Sequence, residues 1–352
     1  MYLSQILKPN KKWLIASVLF ITACAGVASG DSSLPDEDQP LQLTQAEVSP
    51  DETQPTEDEP VTVPLETTES IPKVLPDLLP EEPPPSGAER QFSTDFSRHT
   101  VPYSDILSGG PPKDGIPAID DPLFISVDEA DAYLKDLEPV VFIQIGEDAR
   151  AYPLQTLTWH EIVNDVVDGK PVAITFCPLC NTAIAFDASF DGQALDFGTT
   201  GRLRFSNLIM YDRQTETWWQ QATGEGIAGE YAGEQLTFLP ASIIGWEEFK
   251  SNFPGGRVLS NKTGFVREYG RNPYAGYDNI NNSPFLFRGP ETPGVLPAMA
   301  RVLTVDLEGE AVAYPYELLQ EKSVINDTIS GTEVVVFWQP GTASALDSSS
   351  IA

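Results

Sequence analysis

The sequence is short of cysteine, histidine and positive charge, and each shortage closes off a class of protein. Three cysteines in 352 residues, Cys24, Cys177 and Cys180, cannot build a disulfide framework, so an apolar core must hold the fold. Imidazole chemistry falls to His99 and His160, the only histidines. Lysine and arginine number 21 against 52 acidic residues, a formal net charge of -31. Nucleic acid and anionic lipid surfaces are excluded as partners, because the mean field repels both. The apolar run Trp13 to Ile21 falls short of the ~20 residues that span a bilayer.

What is present at the amino end has the layout of an export signal: Lys8, Lys11 and Lys12, the apolar run, then Thr22-Ala23-Cys24-Ala25-Gly26. An ordinary signal peptide or a short uncleaved anchor fits the run as well, but neither needs a thiol at that place. Ile21-Thr22-Ala23-Cys24 is similar to a lipobox, so residues 1–24 are expected to be a lipoprotein signal with Cys24 as the lipidation site. The expected address is the extracytoplasmic side of a membrane, held there through lipid. Residues 25–90, rich in Pro, Glu, Asp, Thr and Ser, bury too little apolar surface to offset their ordering entropy and are expected to form an extended, disordered tether. Roughly 260 residues follow, enough to bury a substantial core.

Within that remainder the pattern predicts an α+β fold, β-rich with antiparallel strands and a few short helices. A helix is expected over Val127 to Leu137, a buried strand over Val140 to Ile145, and a helix opened by Pro153 that runs through Leu154, Leu157, Glu161, Ile162 and Val163 and carries His160. Pro171 to Phe176 reads as a strand that delivers the chain to Cys177. Short strands follow at Thr182 to Phe186, Leu195 to Phe197, Leu208 to Tyr211 and Glu216 to Trp219, and Trp246 to Phe253 reads as a short helix stopped by Pro254.

The chain also echoes itself. Ala149-Arg150-Ala151-Tyr152-Pro153 returns as Ala311-Val312-Ala313-Tyr314-Pro315, and at the same offset Val163-Asn164-Asp165 meets Ile325-Asn326-Asp327 and Gly169 meets Gly331. This predicts two related lobes from a partial internal duplication: residues 91–290 as the first lobe with its β-rich extension, and 291–352 as a partial second repeat. Lys322 stands opposite His160, and Gln339 and Thr342 opposite Cys177 and Cys180. The scaffold therefore does not require those three residues, and any chemistry belongs to the first lobe.

Cys177-Pro178-Leu179-Cys180 is the one concentrated chemical signal. Two thiols at this spacing close a small disulfide, hold a soft metal or form a reactive pair. Further donors for a metal would be His160, His99, Asp187 or Asp212; two thiolates with imidazole suit zinc or copper. A helix histidine beside Trp159 is otherwise a packing residue. A second cluster joins Arg202 and Arg204 with Asp212 and Trp219 as a candidate ligand cleft: guanidinium binds oxyanions in two-pronged fashion, although internal pairing with carboxylates competes. Trp218 and Trp219, adjacent on a strand, point to opposite faces. The stretch Arg267 to Asp278 is too rich in Gly, Pro and Tyr for regular structure and suits an ordered loop over such a cleft.

Lys113-Asp114-Gly115-Ile116-Pro117-Ala118, Trp159-His160-Glu161-Ile162-Val163-Asn164-Asp165, Thr175-Phe176-Cys177-Pro178-Leu179-Cys180-Asn181-Thr182-Ala183 and Phe197-Gly198-Thr199-Thr200-Gly201-Arg202-Leu203, with Asn272-Pro273-Tyr274 after them, together resemble the domain-of-unknown-function 3179 family over about residues 95 to 350. The resemblance implies an exported or membrane-associated protein, brings no activity with it, and maps the family's recognisable features onto Cys177, Cys180 and His160. Three functions are expected to compete. The first is soft-metal binding, copper or zinc, through Cys177, Cys180 and His160. The second is thiol-disulfide exchange with Cys177 as nucleophile, Cys180 as resolving thiol and His160 as base. The third is a ligand-binding domain with a structural disulfide.

Overall fold

A computed structural model of the chain describes residues 77–291 and 294–347. The expected signal peptide, Cys24 and most of the expected tether lie outside the described residues. No helix among the described residues is long and apolar enough to cross a membrane.

Three sheets stack in layers. The first runs in the order Ala241–Gly245, Pro139–Ile145, Asp148–Pro153, Arg257–Leu259, Phe124–Ser126. The second runs Phe238–Leu239, Thr182–Asp187, Lys170–Cys177, Ile162–Val167, and the third Ile106–Ser108, Phe197–Arg204, Asn207–Asp212, Trp218–Gln220, Glu225–Ala228. Pairing is antiparallel as expected, except that Arg257–Leu259 lies parallel to Asp148–Pro153. Alternation along one strand explains the middle layer. Val172, Ile174 and Phe176 face the first sheet and pack with Val141, Ile143, Tyr152, Leu154 and Leu157. Ala173 and Cys177 face the third sheet and pack with Phe197, Leu208, Met210 and Trp219. A sheet covered on both faces needs near-continuous apolar strands, and Val172-Ala173-Ile174-Thr175-Phe176 supplies one. Each large side chain so buried stabilises the fold by roughly 1.5–3 kcal/mol.

The two helices Val127–Asp131 and Trp246–Asn252 cover the outer face of the first sheet. The former is shorter than expected. Its start is fixed by a capping box, Ser126 with Glu129, but the residues from Ala132 onward leave the helix. The helix expected through Val163 spans only Leu154–His160, because Glu161 turns left-handed at φ 60 and Ile162 and Val163 already belong to the next strand. β-Branched residues there pair better across a ladder than in a helix. The cluster from Gly198 to Arg204 forms the long strand Phe197–Arg204 with an irregularity between Thr199 and Arg202. Gly201 sits in that irregularity at φ 68, where a Cβ would lie 2.0 Å from the Pro111 carbonyl oxygen.

On the far face of the third sheet, Phe92, Phe96, Tyr103, Ile106 and Trp218 form a further cluster that takes in Ala88, which is fully buried. The expected tether boundary at residue 90 is therefore too late. Leu79 already bonds the His99 carbonyl at 2.8 Å, because the described residues before 90 bring apolar atoms to an otherwise open sheet face.

Beyond residue 301 the order hairpin, helix, hairpin recurs: Val302–Leu307 with Glu310–Pro315, then Tyr316–Glu321, then Val324–Ile329 with Thr332–Phe337. Hydrogen bonds recur with it. Tyr152 donates to Asp165 at 2.6 Å and Tyr314 to Asp327 at 2.9 Å. Phe176 N–H donates to the Glu161 carbonyl at 2.7 Å and Trp338 N–H to that of Ser323 at 2.9 Å. The second set holds only a small core around Tyr314, Leu319 and Val336, and Val324, Val335 and Phe337 are exposed.

Candidate functional site

Cys177 ends its strand on the face that meets the third sheet, and its thiol is buried. A single 3-10 turn, Pro178–Cys180, then reverses the chain; Asn181 takes the left-handed conformation and Thr182 opens the return strand opposite Cys177. The turn leaves Cys180 exposed, while its Sγ accepts a hydrogen bond from Asn207 Nδ2 at 3.1 Å. Asn207 is itself fixed by Gln220, Gln221 and the Ala222 N–H, so the donor is aimed before any ligand arrives. The two thiols are unequal. The neighbouring Cys177, then Asn207 and Thr182, hold the Cys180 thiol below the usual cysteine range against the opposing effect of burial, while the Cys177 S–H itself points to the Ser206 carbonyl at 3.9 Å. Burial pushes the Cys177 thiol well up, and the neighbouring Cys180 and Glu161 push it further.

Glu161 is the group that sequence reasoning missed. Its left-handed backbone, uncommon for a residue with a side chain, turns the carboxyl away from the helix end and into the interior beside the two thiols. Burial raises that carboxyl to about 8, with Cys180 adding to the effect, so it is protonated at neutral pH. The signal was present in the echo, where Ser323 stands opposite Glu161 as Lys322 does opposite His160. Glu161 opens on a cavity of about 560 Å³ whose walls include Leu179, Leu208, Pro273, Tyr274, Tyr277 and Phe285. The expected loop over a cleft is thus in place, covering this cavity rather than Trp219. Cys180 borders a second cavity, about 330 Å³, on the other side of Leu179 and Tyr277. The Tyr274 hydroxyl is raised by burial and by the nearby Glu161 and Cys177.

His160 does not join the thiols as a donor. It is fully buried; its Nδ1–H donates to the Pro117 carbonyl at 2.7 Å, which leaves Nε2 to accept from the Tyr269 hydroxyl at 2.7 Å. Burial lowers its pKa, so the ring is neutral and serves as a brace between two chain segments. With both nitrogens engaged it has no lone pair for a metal or a thiol proton, which corrects its expected role as ligand or base. His99 is likewise engaged, with the Val101 and Pro80 carbonyls at 3.0 and 3.2 Å. Asp187 pairs with Lys170 at 2.7 Å. Among the described residues no group of three or more His, Cys, Asp or Glu side chains is arranged to hold a metal ion.

The expected cleft of Arg202, Arg204, Asp212 and Trp219 does not form. Asp212 and Trp219 are fully buried and bonded to each other at 2.9 Å, within the core between the second and third sheets. Arg202 borders the larger cavity, but its guanidinium donates to the Ser86 carbonyl at 2.9 Å and lies over the Trp218 ring on the opposite face of the sheet. Arg204 lies over Phe205, 3.6 Å from Asp105. Trp218 and Trp219 do point to opposite faces, as strand alternation requires.

The fold and the site define a layered, β-rich domain with an asymmetric thiol pair beside an apolar cavity. The chain belongs to the family described as Protein of unknown function (DUF3179), whose model matches residues 113–352. Neither the curated proteins nor the solved structures hold a match to it.

Proposed function

We propose that this domain carries out thiol-disulfide exchange outside the cytoplasm, held to a membrane through lipid on Cys24, with Cys180 as the attacking thiolate and Cys177 as the resolving thiol. The order is the reverse of the one expected from the sequence. The observation that carries it is the contrast within one turn: an exposed cysteine whose sulfur accepts from the fixed Asn207 amide, next to a buried cysteine.

The Cys180 thiolate attacks one sulfur of a substrate disulfide, forms a mixed disulfide and expels the second substrate sulfur, which takes up a proton. Cys177 then attacks Cys180 Sγ and loses its proton. The intramolecular disulfide closes, the first substrate sulfur leaves as a thiol, and an external dithiol reduces the pair again. Soft-metal capture has less support, because among the described residues no three His, Cys, Asp or Glu side chains are arranged to hold a metal ion.

Thiol trapping across a series of dithiol/disulfide buffers tests the reading. A single two-electron transition of the Cys177/Cys180 pair is expected; one oxidation state at every potential defeats it. The recurring Tyr-Asp and backbone hydrogen bonds support a partial internal duplication as the origin of the second hairpin set.

A further inference from the structure

A carboxyl buried in an apolar wall without a partner calls for one. Glu161 is 7% exposed, and among the described residues its carboxyl makes no hydrogen bond; what surface it keeps faces the larger cavity. A polar group that faces an apolar cavity with no protein partner gains free energy when a ligand supplies one. The cavity has the volume of a small-molecule site, and its walls are mostly aromatic, aliphatic and proline surfaces, with Thr199 and Asn282 among them. Arg202, the other charged residue along it, has its guanidinium committed to Ser86 and Trp218 on the far side of the sheet. Charged ligands fit poorly. An anion meets a strongly acidic protein, and a cation requires Glu161 to ionise between the buried Cys177 and an apolar wall.

We infer that this cavity binds an uncharged, largely apolar organic molecule bearing a carbonyl-type acceptor, to which the Glu161 carboxylic acid donates a hydrogen bond. The inference rests on the thiol reading for what such a ligand does there, as the apolar part of a disulfide substrate, and not for where it sits. The groups facing Glu161 are Cys177, Cys180 and Tyr274, each uncharged or anionic, so none of them compensates a bound anion.

Equilibrium dialysis with 9-fluorenone and with fluorene, the same ring system lacking the carbonyl, tests it on the full chain. At pH 6.5 the ketone is expected to bind about fivefold more tightly than the hydrocarbon, the worth of one neutral hydrogen bond. Glu161→Gln, which keeps a donor, should retain that preference, and Glu161→Leu should abolish it while the hydrocarbon still binds. Ala275→Trp, at an exposed position on the cavity rim, should exclude both. Equal affinity for ketone and hydrocarbon overturns the inference, as do the absence of saturable binding, tighter binding of 9-aminofluorene than of the ketone, and indifference to Ala275→Trp. Setting this dialysis beside the redox titration of the same unsubstituted protein separates the two readings. Ketone binding retained alongside a silent redox titration sinks thiol exchange alone, whereas a working titration without ketone binding sinks the cavity assignment alone.

Discussion

Replacing Glu161 by glutamine should make the protein more stable at alkaline pH, and the size of the gain follows from the site. The carboxyl titrates near its ordinary 4.5 in the unfolded chain and at about 8 when folded. Between those values the folded protein holds a proton that the unfolded chain has released, so stability falls as pH rises, by about 1.4 kcal/mol per pH unit. Over the whole interval the loss is on the order of 5 kcal/mol, complete once pH passes the folded value. Glutamine keeps the shape and never ionises, so its protein lacks this slope. Urea unfolding followed by tryptophan fluorescence, at steps from pH 4.5 to 8.5 under reducing conditions, gives the difference between the two proteins at each pH. Glu138, which burial also raises, to about 7, is present in both and cancels. The glutamine variant should gain several kcal/mol on the wild type between the ends of the range. Parallel stability curves would show that Glu161 is ionised or solvated in the folded state, and would remove the basis for a buried proton donor beside the thiols.

Iodoacetamide at pH 7 should modify Cys180 well before Cys177, and Asn207→Leu should slow that reaction roughly tenfold or more by removing a charge-assisted donor; peptide mapping against time reads both. His160→Ala should cost roughly 2–4 kcal/mol by stranding the Pro117 carbonyl and the Tyr269 hydroxyl, while leaving the rate of Cys180 alkylation nearly unchanged; a large rate change at intact stability would restore the histidine as a base. Asp165→Ala should cost roughly 2–3 kcal/mol, because Arg150 and the Tyr152 hydroxyl both lose an acceptor although Asp148 still pairs the arginine, whereas Asp327→Ala should cost only about 1 kcal/mol, since Val312 stands in the echo where that arginine does; equal losses in thermal unfolding would count against this difference.

Much of the scaffold was legible because it obeys short-range rules. The strand from Val140 emerged as Pro139–Ile145 and the short helix at Trp246 as Trp246–Asn252, each bounded by a turn or by proline. Where non-local contacts decide, local pattern misled. Ile162 and Val163 continue a helical pattern on paper, but the second sheet claims them through Thr175 and Ile174. Gly198-Thr199-Thr200-Gly201 carries no strand pattern of its own and still lies in one, because Met210 and Ile209 across the ladder hold the strand through its irregularity. The paired cysteines were visible, but their ranking was not. Sequence order says nothing about which thiol faces the third sheet and which the solvent.

The same logic shows why glutamate and not histidine lies beside the thiols. His160 and Glu161 are adjacent, and at a helix end one residue decides where each side chain goes. The last helical residue keeps its side chain on the packed face, and His160 there finds a carbonyl and a hydroxyl that saturate both ring nitrogens. The next residue breaks the helix at positive φ and swings across the layer that contains the thiols. Glycine is the ordinary solution for such a position, and it relieves the strain at no steric cost. A glutamate there carries both backbone strain and a buried carboxyl. Among the described residues the carboxyl has no hydrogen-bond partner, and the helix of the second hairpin set ends a residue earlier, at Glu321, with Lys322 as its cap at a negative φ. The space the carboxyl faces is the cavity that Leu179 and Tyr277 separate from the one bordered by Cys180, so a ligand there would lie one side chain away from the reactive sulfur.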